Sequence, residues 1–207
     1  MRVFTTPSDD ELLRLMVAGD ESAFVTLYRR RQAGIYRFAL QMSGSEAIAE
    51  DVVQEVFMVL MNEAGNYDSA KGSLSAYLYG VARNHVLRSL SRDRSFVSIG
   101  DSYEEEGQDV HEQLIAQDDP LADLTRSEMI ESVRQAVMAL PPHYREVVIL
   151  CDLHEMSYAE AAQVLSCAVG TIRSRLHRAR TLLIEKLRAT KERDEAQPIV
   201  NSARCFA

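Results

Sequence analysis

Tryptophan is absent from the 207 residues, and there are only five prolines and nine glycines. So little turn-forming residue excludes a collagen-like or Pro/Gly-rich low-complexity chain, and it weighs against a β-barrel. The three cysteines, Cys151, Cys167 and Cys205, cannot make an even disulfide framework. Cys151 ends the apolar run VVILC and reads as a small buried hydrophobe. Cys151, His154, His143 and Cys167 match no zinc-ligand spacing, so no metal is expected. No apolar run reaches the roughly 18 to 20 residues that span a bilayer. The opening MRVFTTPSDDELLRLM places acids ahead of its apolar part, the reverse of a signal peptide. A cytoplasmic chain without membrane insertion is the expectation. Phosphate-cradling GxxxxGK and dinucleotide loops are missing, and no Ser, His and acid are arranged for nucleophilic chemistry. No catalytic residue, no cofactor and no autonomous enzyme activity are expected.

What is present is helix-forming and segregated by charge. Hydrophobic residues make up 46% and charged residues 26%, with a net charge of -8. Arg29, Arg30, Arg31 and Arg37 cluster early, and Lys71, Arg83, Arg88, Arg92 and Arg94 form a second basic stretch. Residues 96–125 then carry nine carboxylates and no Lys or Arg, whereas 170–193 carry eight basic residues against two acidic ones. Two bodies able to approach polyanions, joined by an acidic tether, fit this alternation.

The first body reads as a helical bundle. Ser8 with Glu11 is a capping-box pattern, and Gly19 can end the helix it starts. Phe24, Leu27, Ile35 and Phe38 give a second helix its apolar side. Ser43 with Glu46 repeats the capping pattern ahead of Ile48, Val52, Val56, Val59 and Leu60, which recur at helical spacing. Glu50, Asp51, Gln54 and Glu55 lie opposite that stripe, either as a hydrated acidic face or as a docking face. A further helix beginning near Ser73 buries Leu74, Leu78, Val81 and His85. It carries Tyr77 and Tyr79 beside its arginines, a combination that can stack bases and hold phosphates.

The linker, with a short helical piece around His111 to Ala116, leads to an amphipathic helix over 127–140 with Ile130, Val133, Val137 and Leu140 inward. Pro141 and Pro142 break it, and a helix with Tyr144, Val147, Val148 and Leu150 follows. Ser157 with Glu160 caps the brief helix YAEAAQVL; Ser166, Cys167 and Ala168 make a compact turn; a long helix buries Ile172, Leu176, Ala179, Leu183 and Leu187. A short helix, tight turn and basic helix describe a helix-turn-helix. Thr171, Ser174, Arg175 and Arg178 share one side of the last helix, broadened by Arg173, His177 and Arg180. Such a helix fits the DNA major groove.

These segments carry a family resemblance. SYAEAAQVLSCAVGTIRSRLHRARTLLIEKL resembles the promoter-reading fourth region of bacterial sigma factors. AEDVVQEVFMVLM resembles their core-polymerase-binding helix, and YLYGVARNHVLRSLSR the helix that reads the upstream edge of the melted promoter. Their order and spacing resemble the extracytoplasmic-function (ECF, group 4) subfamily of the sigma-70 family. The resemblance implies an all-α fold of two small helical domains joined by an acidic flexible linker. A region 2-like domain would cover residues 1–95, the linker 96–126, a region 4-like helix-turn-helix domain 127–190, and a C-terminal tail 191–207. It further implies a monomeric, dissociable subunit of core RNA polymerase. Asp51, Gln54, Glu55, Val56 and Phe57 would dock polymerase. Tyr77, Arg83, Asn84, Arg88 and Arg92 would hold the minus-10 element as its strands part. Thr171, Arg173, Ser174, Arg175 and Arg178 would read the minus-35 duplex. Core polymerase and promoter DNA are the implied partners, with an anti-sigma factor a further one. The linker would cross the polymerase, where its carboxylates repel stray nucleic acid. A helix-turn-helix regulator that binds duplex DNA without joining polymerase is the alternative, disfavoured by the docking-helix resemblance. Two positions depart from the family pattern: Arg88 stands where an acidic residue is common, and Ser166 where Gly often precedes the recognition helix.

Overall fold

A computed structural model describes residues 7–97 and 120–196, all of whose regular elements are helical. Most of the expected linker, including the 111–116 helical piece, and the last eleven residues lie outside these. Helix α1 (Asp9–Val17) starts at Ser8, whose hydroxyl accepts from the Glu11 backbone N–H while the Glu11 carboxylate accepts from the Ser8 N–H. Gly19, at φ 95°, turns the chain out of it. Asp20 caps α2 (Glu21–Ser43), and Gly44 ends α2 at φ 74°. Helix α3 (Glu46–Glu63) is capped by Ser45, whose Oγ accepts from Ile48 N–H. The expected cap, Ser43, instead belongs to the last turn of α2 and donates to the Ala39 carbonyl. Two residues suffice for the α2–α3 corner because Gly44 takes the left-handed conformation. After a 3-10 turn (Ala64–Asn66), α4 runs Leu74–Val97 with Ser73 accepting from the Ala76 N–H.

The second group begins at Pro120 rather than 127. It comprises α5 (Pro120–Met138), α6 (Pro142–Val148), a π-helical turn (Ile149–Leu153), α7 (Tyr158–Val164) and α8 (Val169–Ala196). Ser157 and Glu160 form a second capping box at α7. Helix α8 continues to Ala196, past the expected end at 190. Ile130 and Val133, expected inward, are exposed, while Val137 and Leu140 farther along α5 are buried.

Leu27, Ile35, Phe38, Met42, Val52, Val56 and Leu60 lock the first bundle, and Val147, Ile149, Leu150, Ile172 and Leu176 the second. Each such side chain contributes about 1.5 to 3 kcal/mol of transfer free energy before entropy. The two groups are not separate in this structure. Helices α2 and α4 pack against α5, α6, the π turn and α7, so one buried cluster runs through both.

Candidate nucleic-acid and polymerase interfaces

At about 100° per residue, Asp51, Gln54, Glu55 and Met58 fall on one side of α3, and all are exposed. Met58 and Met61 are 49% and 54% accessible. Val56 and Phe57, expected with the acidic residues, are buried at 0% and 3%. Phe57 packs edge-on to Phe24, with centroids 6.2 Å apart, and against Tyr28 at 4.7 Å. Both belong to the core stripe with Val52, Val53 and Leu60, so they correct the expected docking set. The exposed thioethers of Met58 and Met61 border this acidic side. Their signal was the i+3, i+4 and i+7 spacing from Asp51, Gln54 and Glu55.

On α4, Tyr77, Asn84 and Arg88 lie within about 40° of one another around the axis. Asn84, Arg88 and Arg92 are exposed and Tyr77 is half-buried. Tyr77 rests against Tyr67 with ring centroids 5.7 Å apart. The Tyr67 hydroxyl donates to Asp10, at 2.6 Å, and lies 3.1 Å from the Gly72 carbonyl. Burial and then that carboxylate push the Tyr67 phenol far above its ordinary range. Tyr79 points inward, 6% accessible and edge-on to Phe38, so it is core rather than a base-stacking ring. Arg83 sits about 100° from Asn84, as consecutive residues must, and turns toward the second helical group. Its Nε and Nη2 donate to Glu146 at 2.9 and 3.2 Å. Glu146 is 3% accessible, the one buried charged side chain among the described residues.

On α8, Ile172, Leu176 and Ala179 are buried, which fixes the helix's rotation. Arg173, Ser174, His177 and Arg178 are exposed; Thr171 and Arg175 flank them half-buried. His177 lies nearer the centre of the outward face than Thr171 or Arg175. Arg180 is engaged with Asp152 through two contacts of 2.6 and 3.1 Å, and that carboxylate raises its pKa. The turn between α7 and α8 contains Ser166 at φ 50°, a left-handed conformation that glycine adopts without strain.

Residues 27–96 match the family Sigma-70 region 2, and residues 130–183 match Sigma-70, region 4. The chain is 33% identical over 185 residues to the ECF RNA polymerase sigma factor SigM of Mycobacterium tuberculosis, covering 87% of this chain and 85% of that protein. The chain belongs to the ECF group of sigma-70 family sigma factors. It is 31% identical to SigE of Mycolicibacterium smegmatis, across 82% of this chain and 64% of that protein. It is 27% identical to SigW of Bacillus subtilis, across 82% and 91%. Among solved structures it resembles the sigma factor RpoE of Bartonella quintana, solved in complex with the anti-sigma factor NepR. The TM-score is 0.65 at 26% identity, covering 80% of this chain and 96% of that one. CnrH, solved with the cytosolic domain of CnrY, shares the fold at TM-score 0.63 and 24% identity, covering 91% and 99%. As an ECF sigma factor this chain binds RNA polymerase and directs transcription initiation at promoters; it is not an enzyme. No helix among the described residues of the sigma factor is long and apolar enough to cross a membrane.

Proposed function

We propose that this sigma factor divides promoter work between three faces and that the α3 face carries polymerase binding. Asp51, Gln54 and Glu55 are the acidic and polar contacts, with Met58 and Met61 as their apolar companions. Exposed methionines suit such a surface because the flexible thioether fills irregular gaps. Tyr77, Asn84, Arg88 and Arg92 hold the minus-10 strand, joined by Arg83 once it is released from Glu146. Arg173, Ser174, His177 and Arg178, flanked by Thr171 and Arg175, read the minus-35 duplex. Arginines on such a face either fix register on phosphates or pair with guanine edges, the latter worth about 1 to 3 kcal/mol of discrimination. Residues 1–95 and 127–190 serve as the two promoter-binding domains and the acidic segment as their tether. The chain works in the cytoplasm, and an anti-sigma factor is a fitting antagonist, as the partner of the Bartonella relative is.

The observation that carries this reading is the clean separation of an acidic, methionine-bearing α3 face from the basic α4 and α8 faces. Reconstitution with bacterial core polymerase and a promoter library tests it. Q54K/E55K abolishes core association while leaving the melting temperature unchanged. R178A leaves core association intact and relaxes selection at minus-35 positions. Transcription that is indifferent to both variants overturns the assignment.

A further inference from the structure

We propose that the first turn of α1 governs minus-10 base choice, with Asp10 a positioning residue that acts through Tyr67 and the segment 64–73 joining α3 to α4. The role rests on the assignment of Tyr77 and its neighbours to that strand. Two adjacent carboxylates of α1 hold the two ends of the segment. Asp10 accepts from the Tyr67 hydroxyl at 2.6 Å, across 57 residues of sequence. Asp9, its side chain 12% accessible, accepts from Arg30 at 2.7 Å and from Arg31 at 2.5 Å. Arg31 in turn donates to Ser75 Oγ, at 3.2 Å, in the first turn of α4. The Tyr67 hydroxyl also lies 3.1 Å from the Gly72 carbonyl, which draws the loop together across its base. Inside that closure the Asp68 carboxylate accepts from the Ala70 N–H at 3.0 Å, and the Asp68 carbonyl from the Lys71 N–H at 2.9 Å. This tight turn leaves the Lys71 side chain 84% accessible, with only the Asp68 carboxylate, at 3.5 Å, beside its ammonium.

The loop borders the minus-10 face. Tyr67, Lys71, Tyr77 and Asn84 line one cleft, and Tyr77 rests on the Tyr67 ring with centroids 5.7 Å apart. A base stacked on Tyr77 is therefore placed by a chain of contacts running from Tyr77 to Tyr67 to Asp10. Lys71 adds a compact point charge at the edge of the same cleft, where the closed loop presents it. An irregular connection of this length loses many conformations only if something outside it holds it. The bond from Tyr67 to the Asp10 carboxylate is suited to that task, because an O–H donor on a charged acceptor makes a short, strong contact. Tyr67, its phenol pushed far above the ordinary range, keeps its proton and stays the donor. Asp10 carries the wrong charge to meet a strand itself, so its effect on base choice passes through Tyr67.

The full-length chain assembled with core polymerase supplies the test, on a promoter library randomised at minus-10 and minus-35. Tyr67→Phe keeps the ring and removes the donor. Asp10→Ala removes the acceptor, and Asp10→Asn restores an acceptor oxygen. The first two should lower the preference for the favoured minus-10 base about three- to tenfold, the range that one lost hydrogen bond allows. Minus-35 preference and core affinity should match the parent, which also reports that both helical groups are folded. Asp10→Asn should keep most of the parental preference. A contact with a purely structural role would lower the melting temperature and the amount of transcript without changing which base is preferred. Unchanged minus-10 preference in either Tyr67→Phe or Asp10→Ala overturns the proposal, as does an Asp10→Asn variant no better than Asp10→Ala. Failure of the underlying assignment reads differently: Tyr77→Ala would then select minus-10 bases as the parent does.

Discussion

Ser166 is held at φ 50° in the turn of the helix-turn-helix. An L-residue in the left-handed region costs roughly 1 to 2 kcal/mol relative to the right-handed one. Glycine escapes that cost but loses more backbone entropy on folding, so S166G should gain less than this, up to about 1 kcal/mol. Urea unfolding checks the sign; a β-branched S166V should fall on the destabilised side. Phe57 and Met58 offer a sharper contrast between neighbours. F57A should cost about 3 to 5 kcal/mol, because it empties a ring packed between Phe24 and Tyr28. M58K should leave unfolding within about 0.5 kcal/mol of the parent, as exposed substitutions do, and reduce core association measured by native gel or calorimetry. Equal destabilisation by the two would place Met58 in the core.

At the scale of elements, much of the architecture is local and therefore legible. The capping boxes Ser8–Glu11 and Ser157–Glu160 close within three residues. S157A should lose about 1 kcal/mol, read by thermal unfolding, since it leaves α7 without its first-turn acceptor. The stripes of α3 and α8 follow from spacing alone, and with them the side on which Asp51 or Ser174 must stand. Ser43 misled because two serines flank Gly44, and the left-handed glycine, rather than any pattern of acids, decides which one caps α3. The π turn Ile149–Leu153 was not legible either. No residue type announces a widened turn, yet this one carries His154 to the first bundle, with the His154 N–H on the Ile149 carbonyl at 2.9 Å. The sequence of α4 alone presents Arg83 as free for DNA, because its partner lies 63 residues away. Nothing in the spacing of α4 points to Glu146; only packing of the two groups brings the charges together.

For the molecule as a whole, His154 makes the packing of the two helical groups sensitive to acid. Burial first, and the nearby Arg37 charge second, lower its pKa from 6.5 to about 4. The docked state thus favours the neutral ring, while an undocked ring takes up protons near its ordinary pKa. The contribution of His154 is complete above about pH 6.5 and declines as pH falls toward 4. Phe38 and Tyr79 wall the ring and Gln41 bonds it, so Arg37 is the charge that the altered pKa registers. Thermal midpoints between about pH 6.5 and pH 5 should slope in the parent and flatten in H154Q. The same slope in both would show that other groups govern the acid response.

Arg145 ties the packing of the two helical groups to the integrity of each. Its guanidinium donates to the Met42 carbonyl at the end of α2 and to the Met138 and Leu140 carbonyls at the end of α5. Cations are favoured at helix C-termini, and here one cation serves two of them. Because every one of these acceptors is main chain, residues 42, 138 and 140 can change identity over generations without loosening the bolt. The arginine has no such freedom. Replacing it would weaken the recognition module and its seat together, so variants that release one while sparing the other must be sought elsewhere.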